Sequence, residues 1–535
     1  MRRRRVKLKP SFTLLFSLLC LLLAGCGASF QHADLVFLNG AEPETLDPAL
    51  ITGQPEGRVA SALFEGLTSF NAAAKPIPGV AARWEISPDG LVYTFHLRPD
   101  ARWSNGDPVT AGDFLRSWLR VLAPETGSEY ASQLYYIRNG RPFNEGKLRD
   151  FTQVGIRVLD PATLQVTLEN PTPYFLDLCA FTTLLPVHTP SVERYPDDWA
   201  KPAHLICNGA YTLSEWRIND RIRLTRNPHY WNRAHVAMHT VDILPISKAN
   251  TAFNFYAAGQ ADLMMDKGLV PNQLLDELKK RPDFHAAPFL GVYFLRFNCT
   301  RPPFQDFRVR KAFSLIVDKQ NLVDKITRAG EKPAFSLTPP GTGGYEPPPG
   351  LSRDLEQARR LLAEAGYPGG KGFPRISYLY SEGELNEGLA VELQAMFQRE
   401  LGVTIDLQRQ EWKVYLRSMS SLDYDLCRAS WVGDYNDPNT FLGCFATGDG
   451  NNRTGWSSPS YDTLLAQAAS EPDRARRFTL LAQAEHLLIT QDAPICPLYY
   501  YVGIQFYDST RLGGIQANLL DEHPLKAMYW KEPRH

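Results

Sequence analysis

Over the carboxyl-terminal half of the chain the apolar positions switch between two periods. Leu355, Ala358, Leu361, Leu362 and Ala365 recur at helical spacing and stop at Gly366, the pattern of one buried helix face ended by a glycine. Residues 375–380 then read as a strand, 385–401 as a helix, 403–407 as a strand and 411–419 as a helix. Residues 424–431 follow, apolar and aromatic enough for a buried strand, and Gly433 with Asn436-Asp437-Pro438 supplies the turn chemistry that ends it. Strands alternating with helices predict βαβ units, a parallel sheet and an α/β fold. Ligands of such sheets lie beyond the carboxyl ends of the strands, and residues 431–434 occupy that position.

Earlier segments are patterned differently. Residues 91–97, 153–159 and 164–168 predict strands bounded by Asp and Pro turns, hence a β-rich subdomain in the first third. Thr110 with Asp113 three residues on is a capping-box variant opening a helix through Trp118 and Leu122, and Val309, Ala312, Phe313, Ile316 and Val317 mark another amphipathic helix. The densest Pro and Gly stretch, residues 338–350, predicts a long surface loop. With 535 residues the chain exceeds what one core supports, so two or three domains are expected.

Composition changes the picture most at the amino terminus. Arg2, Arg3, Arg4 and Arg5 with Lys7 and Lys9 form a basic head, residues 13–23 an apolar run, and Ala24 and Gly25 precede Cys26. The run is shorter than the roughly 20 residues of a membrane-spanning helix. Small residues at its end mark a cleavage site, so residues 1–25 are expected to be a lipoprotein signal peptide with Cys26 as the lipidated residue. Loss of those 25 residues removes six positive charges and no negative ones, taking the formal net charge from −1 to −7. A nucleic-acid binder should carry a basic face, and no long basic run follows the signal. Beyond Cys26 the cysteines are Cys179, Cys207, Cys299, Cys427, Cys444 and Cys496. They are expected as buried thiols with one or two bridges, whose pairing sequence alone does not determine.

Candidate chemistry concentrates in residues 428–438. Arg428, Trp431 and Asp434 place an anion partner, a flat apolar wall and a cation partner within seven residues. That set suits a ligand with both charges and some apolar bulk, such as a peptide or an amino acid.

The same stretch closely resembles the ligand-binding motif of the oligopeptide-binding proteins of ABC importers, in the peptide- and nickel-binding cluster of extracytoplasmic solute-binding proteins. Further similar pieces are Leu46-Asp47-Pro48, Leu63-Phe64-Glu65-Gly66-Leu67, residues 103–114, Tyr130-Ala131-Ser132, Asn208-Gly209-Ala210-Tyr211 and residues 303–312. In order and spacing they span nearly the whole mature chain. The resemblance implies an α/β, two-lobe periplasmic-binding-protein fold (cluster C, type II) with an extra N-terminal subdomain and a hinged cleft. It implies a primary domain of residues 27–65, 190–290 and 505–535, an extra subdomain of 66–189 and a second lobe of 291–504.

For the site, it implies that Asp434 pairs with the α-ammonium of a short peptide. Backbone groups around Ser430, Val432 and Gly433 bond the peptide as an added strand would. Trp431 and Tyr130 line the cleft, with Tyr135 and Tyr136 close by, and Thr52, Gly53 and Gln54 face the ligand from the other lobe. Oligopeptide binders often carry an acid where Thr52 stands, and basic groups for the ligand's carboxylate where Asn386 and Met419 stand. Asp434 is then the main counter-charge and Arg428 the remaining carboxylate partner. Contacts to backbone and termini imply tolerance of ligand side chains. Some family members carry cysteines at the positions of Gly291 and Val432, a bridge that cannot form here.

The implied partners are a short peptide, ABC permease subunits and a membrane reached through Cys26, for a monomer on the periplasmic or extracytoplasmic face, with no cofactor and no nucleic acid. The same fold could take a nickel complex, haem, a sugar or a signalling peptide; the different-class alternative is an exported hydrolase. Enzymatic motifs are lacking. His235 and His239 have the spacing of a zinc helix without its glutamate, no Gly-x-Ser-x-Gly elbow occurs, and prolines around Gly341-Thr342-Gly343-Gly344 deny that run the strand and helix of a phosphate loop.

Overall fold

The computed structural model describes residues 33–533, so the expected signal peptide and Cys26 lie outside the described residues. A mixed sheet of 11 strands runs through them. From one edge its order is Ile405–Gln410, Ile376–Ser381, Leu426–Val432, Phe284–Phe297, Ile495–Phe506, Leu263–Met265, Leu35–Leu38, Thr240–Leu244, Arg221–Arg226 and Tyr211–Arg217, with Lys332–Pro333 added beside Ile495–Phe506. The predicted βαβ units are present. Tyr378 and Leu379 pair in parallel with Leu426 and Cys427, and Ile376–Ser381 pairs in parallel with Ile405–Gln410. Helices Glu384–Leu401 and Trp412–Ser420 make the crossovers.

Two long antiparallel strands hold the molecule together. Phe284 to Pro288 lie against Phe506 to Val502, whereas Val292 to Arg296 lie against Tyr500 to Ile495, and the register shifts between Pro288 and Val292. Such irregularities bend and twist a sheet locally. The two halves of these strands serve different cores. Leu38, Phe253, Met264, Leu275, Ile504 and Phe506 form one, beside a core of Leu35, Phe37, Leu63, Trp199, Tyr211, Leu512 and Met528 that joins the first and last described segments of the chain. Phe297, Phe313, Tyr378, Leu393, Phe397 and Tyr499 form another.

A separate core of Phe95, Trp103, Phe114, Trp118, Leu164 and Phe175 sits under a four-stranded antiparallel sheet of Ala81–Ile86, Val92–Leu97, Thr163–Thr167 and Ile156–Asp160. The helix Ala111–Leu122 opens on the predicted capping box, with the Thr110 amide donating to Asp113 Oδ2 at 2.8 Å. Tyr435, from the far lobe, is a member of this core.

The motif segments meet one another. The Asn208 side chain accepts from the Glu65 amide at 3.0 Å and donates to the Glu65 carbonyl at 2.8 Å. The buried Glu65 carboxylate accepts from Tyr230, Trp231 and, near the carboxyl terminus, Lys526. A Cβ on Gly66 would lie 2.1 Å from the Cys179 carbonyl oxygen, so only glycine allows that approach.

Two expectations need correction. Residues 338–350 are not simply a surface loop: Thr338, Thr342 and Tyr345 are buried, and the Tyr345 hydroxyl and Thr338 amide both donate to buried Glu485. Irregular backbone is tolerated there because side chains satisfy its polar groups. The six cysteines named above are all free thiols, five of them buried, and none is bridged.

Candidate functional site

The Leu426–Val432 strand runs out at its carboxyl end into a turn held from three sides. Gly433 donates its amide to the Leu290 carbonyl at 2.7 Å, and a Cβ there would lie 2.6 Å from Leu290 Cδ2. The Asn436 side chain accepts from the Gly343 amide at 2.7 Å, so the Pro- and Gly-rich segment braces the turn. Asp437 forms a buried bidentate pair with Arg477, both contacts at 2.7 Å.

Asp434 projects from this turn toward the Ala131–Leu134 segment. Its Oδ2 accepts from Gln133 Nε2 at 3.0 Å, and its amide donates to Thr440 Oγ1 at 3.1 Å. Burial pushes the Asp434 carboxyl up to about 7, against the lowering effect of the Gln133 hydrogen bond. Tyr130 lies close enough for the Asp434 charge to add to the burial that raises its phenol. Beside it, Tyr435 stacks on Tyr174 with ring centroids 4.1 Å apart, and its hydroxyl meets that of Tyr136 at 2.8 Å. These contacts join the turn after the Leu426–Val432 strand to the core under the four-stranded sheet.

Arg428 leaves the strand on the opposite face from Trp431 in register. Its guanidinium lies 5.4 Å from the Tyr293 and Tyr415 rings and 5.8 Å from Trp412, and Nη1 donates to Ser430 Oγ at 3.1 Å. An aromatic box of this kind favours a cation and leaves it available to an anion. Asn386 is linked to that box, its Oδ1 accepting from the Tyr293 hydroxyl at 3.0 Å. It also lines a cavity of about 790 Å³ with Lys248, Asn250, Lys267, Gln273 and Gly383. Trp431 packs against the Phe294 and Phe441 core, and its Nε1 is buried without an acceptor. Val432 stands opposite Gly291 in register.

The expected contact residues Thr52, Gly53 and Gln54 lie at the start of a helix. Gly53 is the residue before the helix Gln54–Leu63, Thr52 and Gln54 are exposed, and Gln54 accepts from Arg58. No hydrogen bond among the described residues joins them to the Asp434 turn. His235 lies in a single helical turn and His239 just before the Thr240–Leu244 strand, so no shared helix face presents them. Sequence reasoning missed Gln133, Tyr174, Tyr435 and the Asp437–Arg477 pair. Gln133 lies three residues beyond Tyr130, but nothing local marks it as buried.

Two bodies sharing one sheet, with charged groups of both signs where they meet, define a two-lobe solute-binding protein. The chain belongs to the bacterial extracellular solute-binding proteins, family 5, whose middle-region model matches residues 75–453. The periplasmic oligopeptide-binding protein OppA of Escherichia coli is 38% identical over 509 residues, covering 93% of each chain. Among solved structures, the E. coli murein tripeptide binding protein MppA aligns with TM-score 0.82 and 36% identity over 94% of this chain and 99% of that one. Haemophilus influenzae OppA in complex with the peptide RPPGFSPFR aligns with TM-score 0.79 and 32% identity over 94% and 100%. No helix of the described residues is long and apolar enough to cross a membrane.

Proposed function

We propose that this protein is a lipid-anchored extracytoplasmic solute-binding protein that captures short peptides in a closing cleft and delivers them to an ABC permease. Residues 27–65, 190–290 and 505–535 act as one lobe, 66–189 as its extra subdomain and 291–504 as the second lobe, tethered through Cys26. The observation that carries the reading is Asp434, a buried carboxylate held at a strand's carboxyl end, with the Gln133 amide as its only side-chain hydrogen-bond partner among the described residues. A peptide ammonium supplies the missing positive charge, Arg428 takes the terminal carboxylate, and Trp431 with Tyr130 walls the cleft. The backbone around Ser430, Val432 and Gly433 bonds the ligand as a strand, while Thr52, Gly53, Gln54 and Asn386 complete the outer contacts. The relatives named as peptide binders support the same assignment.

Calorimetric titration with short peptides tests it. Free-amine peptides should bind, and Asp434→Ala should weaken them by about 100-fold or more, the scale of removing one partner of a buried charge pair. Unchanged affinity in that variant refutes the ammonium role. Peptides recovered intact support a binder; cleavage products found by mass spectrometry support a hydrolase. Cys26→Ser should release the protein from membranes.

A further inference from the structure

A guanidinium taken out of water is unfavourable unless a carboxylate or a full set of acceptors meets it. Most buried arginines here obey that rule. Arg477 is saturated by Asp437, and Arg310 by the main-chain carbonyls of Phe304, Gln305 and Asp492. Arg296 does not. It is 4% exposed, its Nη1 meets only the Met419 sulfur at 3.0 Å, its Nη2 the Asn451 carbonyl at 3.1 Å, and its Nε is buried with no partner.

A second guanidinium stands near it. Arg453 is half-buried, its Nε reaches only the Gly450 carbonyl at 3.3 Å, and burial together with the like charge of Arg296 acts to lower its pKa. Among the described residues neither arginine has a carboxylate within 4.0 Å. Arg296 lies opposite Cys427, which shares a sheet face with Ala429 and Trp431. Trp431 Nε1 is thus a second buried donor without an acceptor on that face. Cys444, which feels the Arg296 charge, donates its Sγ to the Thr440 carbonyl at 3.3 Å, and Thr440 Oγ1 accepts from the Asp434 amide at 3.1 Å.

We propose that this face carries a second anion subsite, built on Arg296 and Arg453, that receives the side-chain carboxylate of an acidic residue in the bound peptide. The inference rests on the reading of the protein as a peptide binder and narrows it. Arg428, on the opposite face, keeps the terminal carboxylate. A carboxylate offers the two oxygens that a guanidinium fork matches, and it supplies the negative charge the pair lacks. Tolerance of ligand side chains is therefore uneven, with Glu or Asp favoured at one position.

The test is calorimetry on tetrapeptides of alanine in which Glu or Gln is placed at each position in turn. Glu should bind about tenfold or more tighter than Gln at one position, the scale of a charge-assisted hydrogen bond. The preference should shrink in high salt. Arg453→Gln and Arg296→Met should each bring the Glu-to-Gln ratio to within about threefold of unity while leaving the Gln peptide's affinity in place. Should Arg296→Met fail to fold, half-exposed Arg453 still carries the test. Equal binding of Glu and Gln at every position, or a preference that survives Arg453→Gln, overturns the subsite alone. Failure of every peptide to bind overturns the peptide reading and the subsite with it.

Discussion

At the scale of single residues the determining quantity is the desolvation of Asp434. Its ordinary pKa lies near 3.8 and burial lifts it to about 7, so ionisation is resisted in the folded, ligand-free protein. Because the folded pKa is raised, the ligand-free protein should lose stability as pH rises from about 4 through 7, where the unfolded chain releases the proton more readily. Glu485, pushed up to about 7 by burial, acts in the same direction. An arriving ammonium favours the ionised carboxylate, so peptide affinity should fall below pH 7 and binding there should release a proton. Titrations between pH 5 and 8 in buffers of different ionisation enthalpy check this, and Asp434→Asn should flatten the dependence. Arg477 gives a second residue-level prediction. Arg477→Met strands Asp437 without its partner, and melting should show a loss of about 3–5 kcal/mol. A double variant that also carries Asp437→Asn should recover part of it.

Elements of secondary structure were readable where their periodicity is local. The predicted helix at 385–401 is found as Glu384–Leu401, and the predicted strand ending at Trp431 as Leu426–Val432. Alternation of strands with helices also places Asp434 at a strand's carboxyl end. The brace was not readable. Glycine and proline in residues 338–350 announce irregular backbone, but whether such backbone is buried depends on partners distant in sequence, here Glu485 and Asn436. Gly343 has φ +55°, and a Cβ there would lie 2.7 Å from the Asn436 carbonyl oxygen, whereas Gly259, at φ +70°, has open space. Gly259→Ala should therefore show only the left-handed backbone penalty of about 1–2 kcal/mol, and Gly343→Ala more. Only Gly343→Ala should also weaken peptide binding, as melting and calorimetry on the two variants would reveal.

For the whole molecule the question is what holds two lobes together when no ligand bridges them. In the proposed two-lobe division the Gln133 hydrogen bond to Asp434 and the Tyr435–Tyr174 stack tie the lobes together, while the shared sheet shifts register between Pro288 and Val292. Tyr435→Ala should shift the ligand-free protein toward an open form, seen as a larger radius of gyration in solution scattering, and lower peptide affinity with it. A peptide at a hundredfold excess over its Kd should stabilise the native protein by about 2.7 kcal/mol; a smaller rise in Tm for Tyr435→Ala would match the weakened closure. By itself the sequence determined the α/β class, the strand that carries the candidate site and the carboxylate at its end, because periodicity and turn chemistry act over a few residues. Only the tertiary structure decided which groups face that carboxylate, which arginines find counter-charges and which loop braces the turn. Burial and charge pairing are properties of residues brought together from across the chain, as Gln133 is to Asp434 and Arg296 is to Arg453, and no local pattern encodes them.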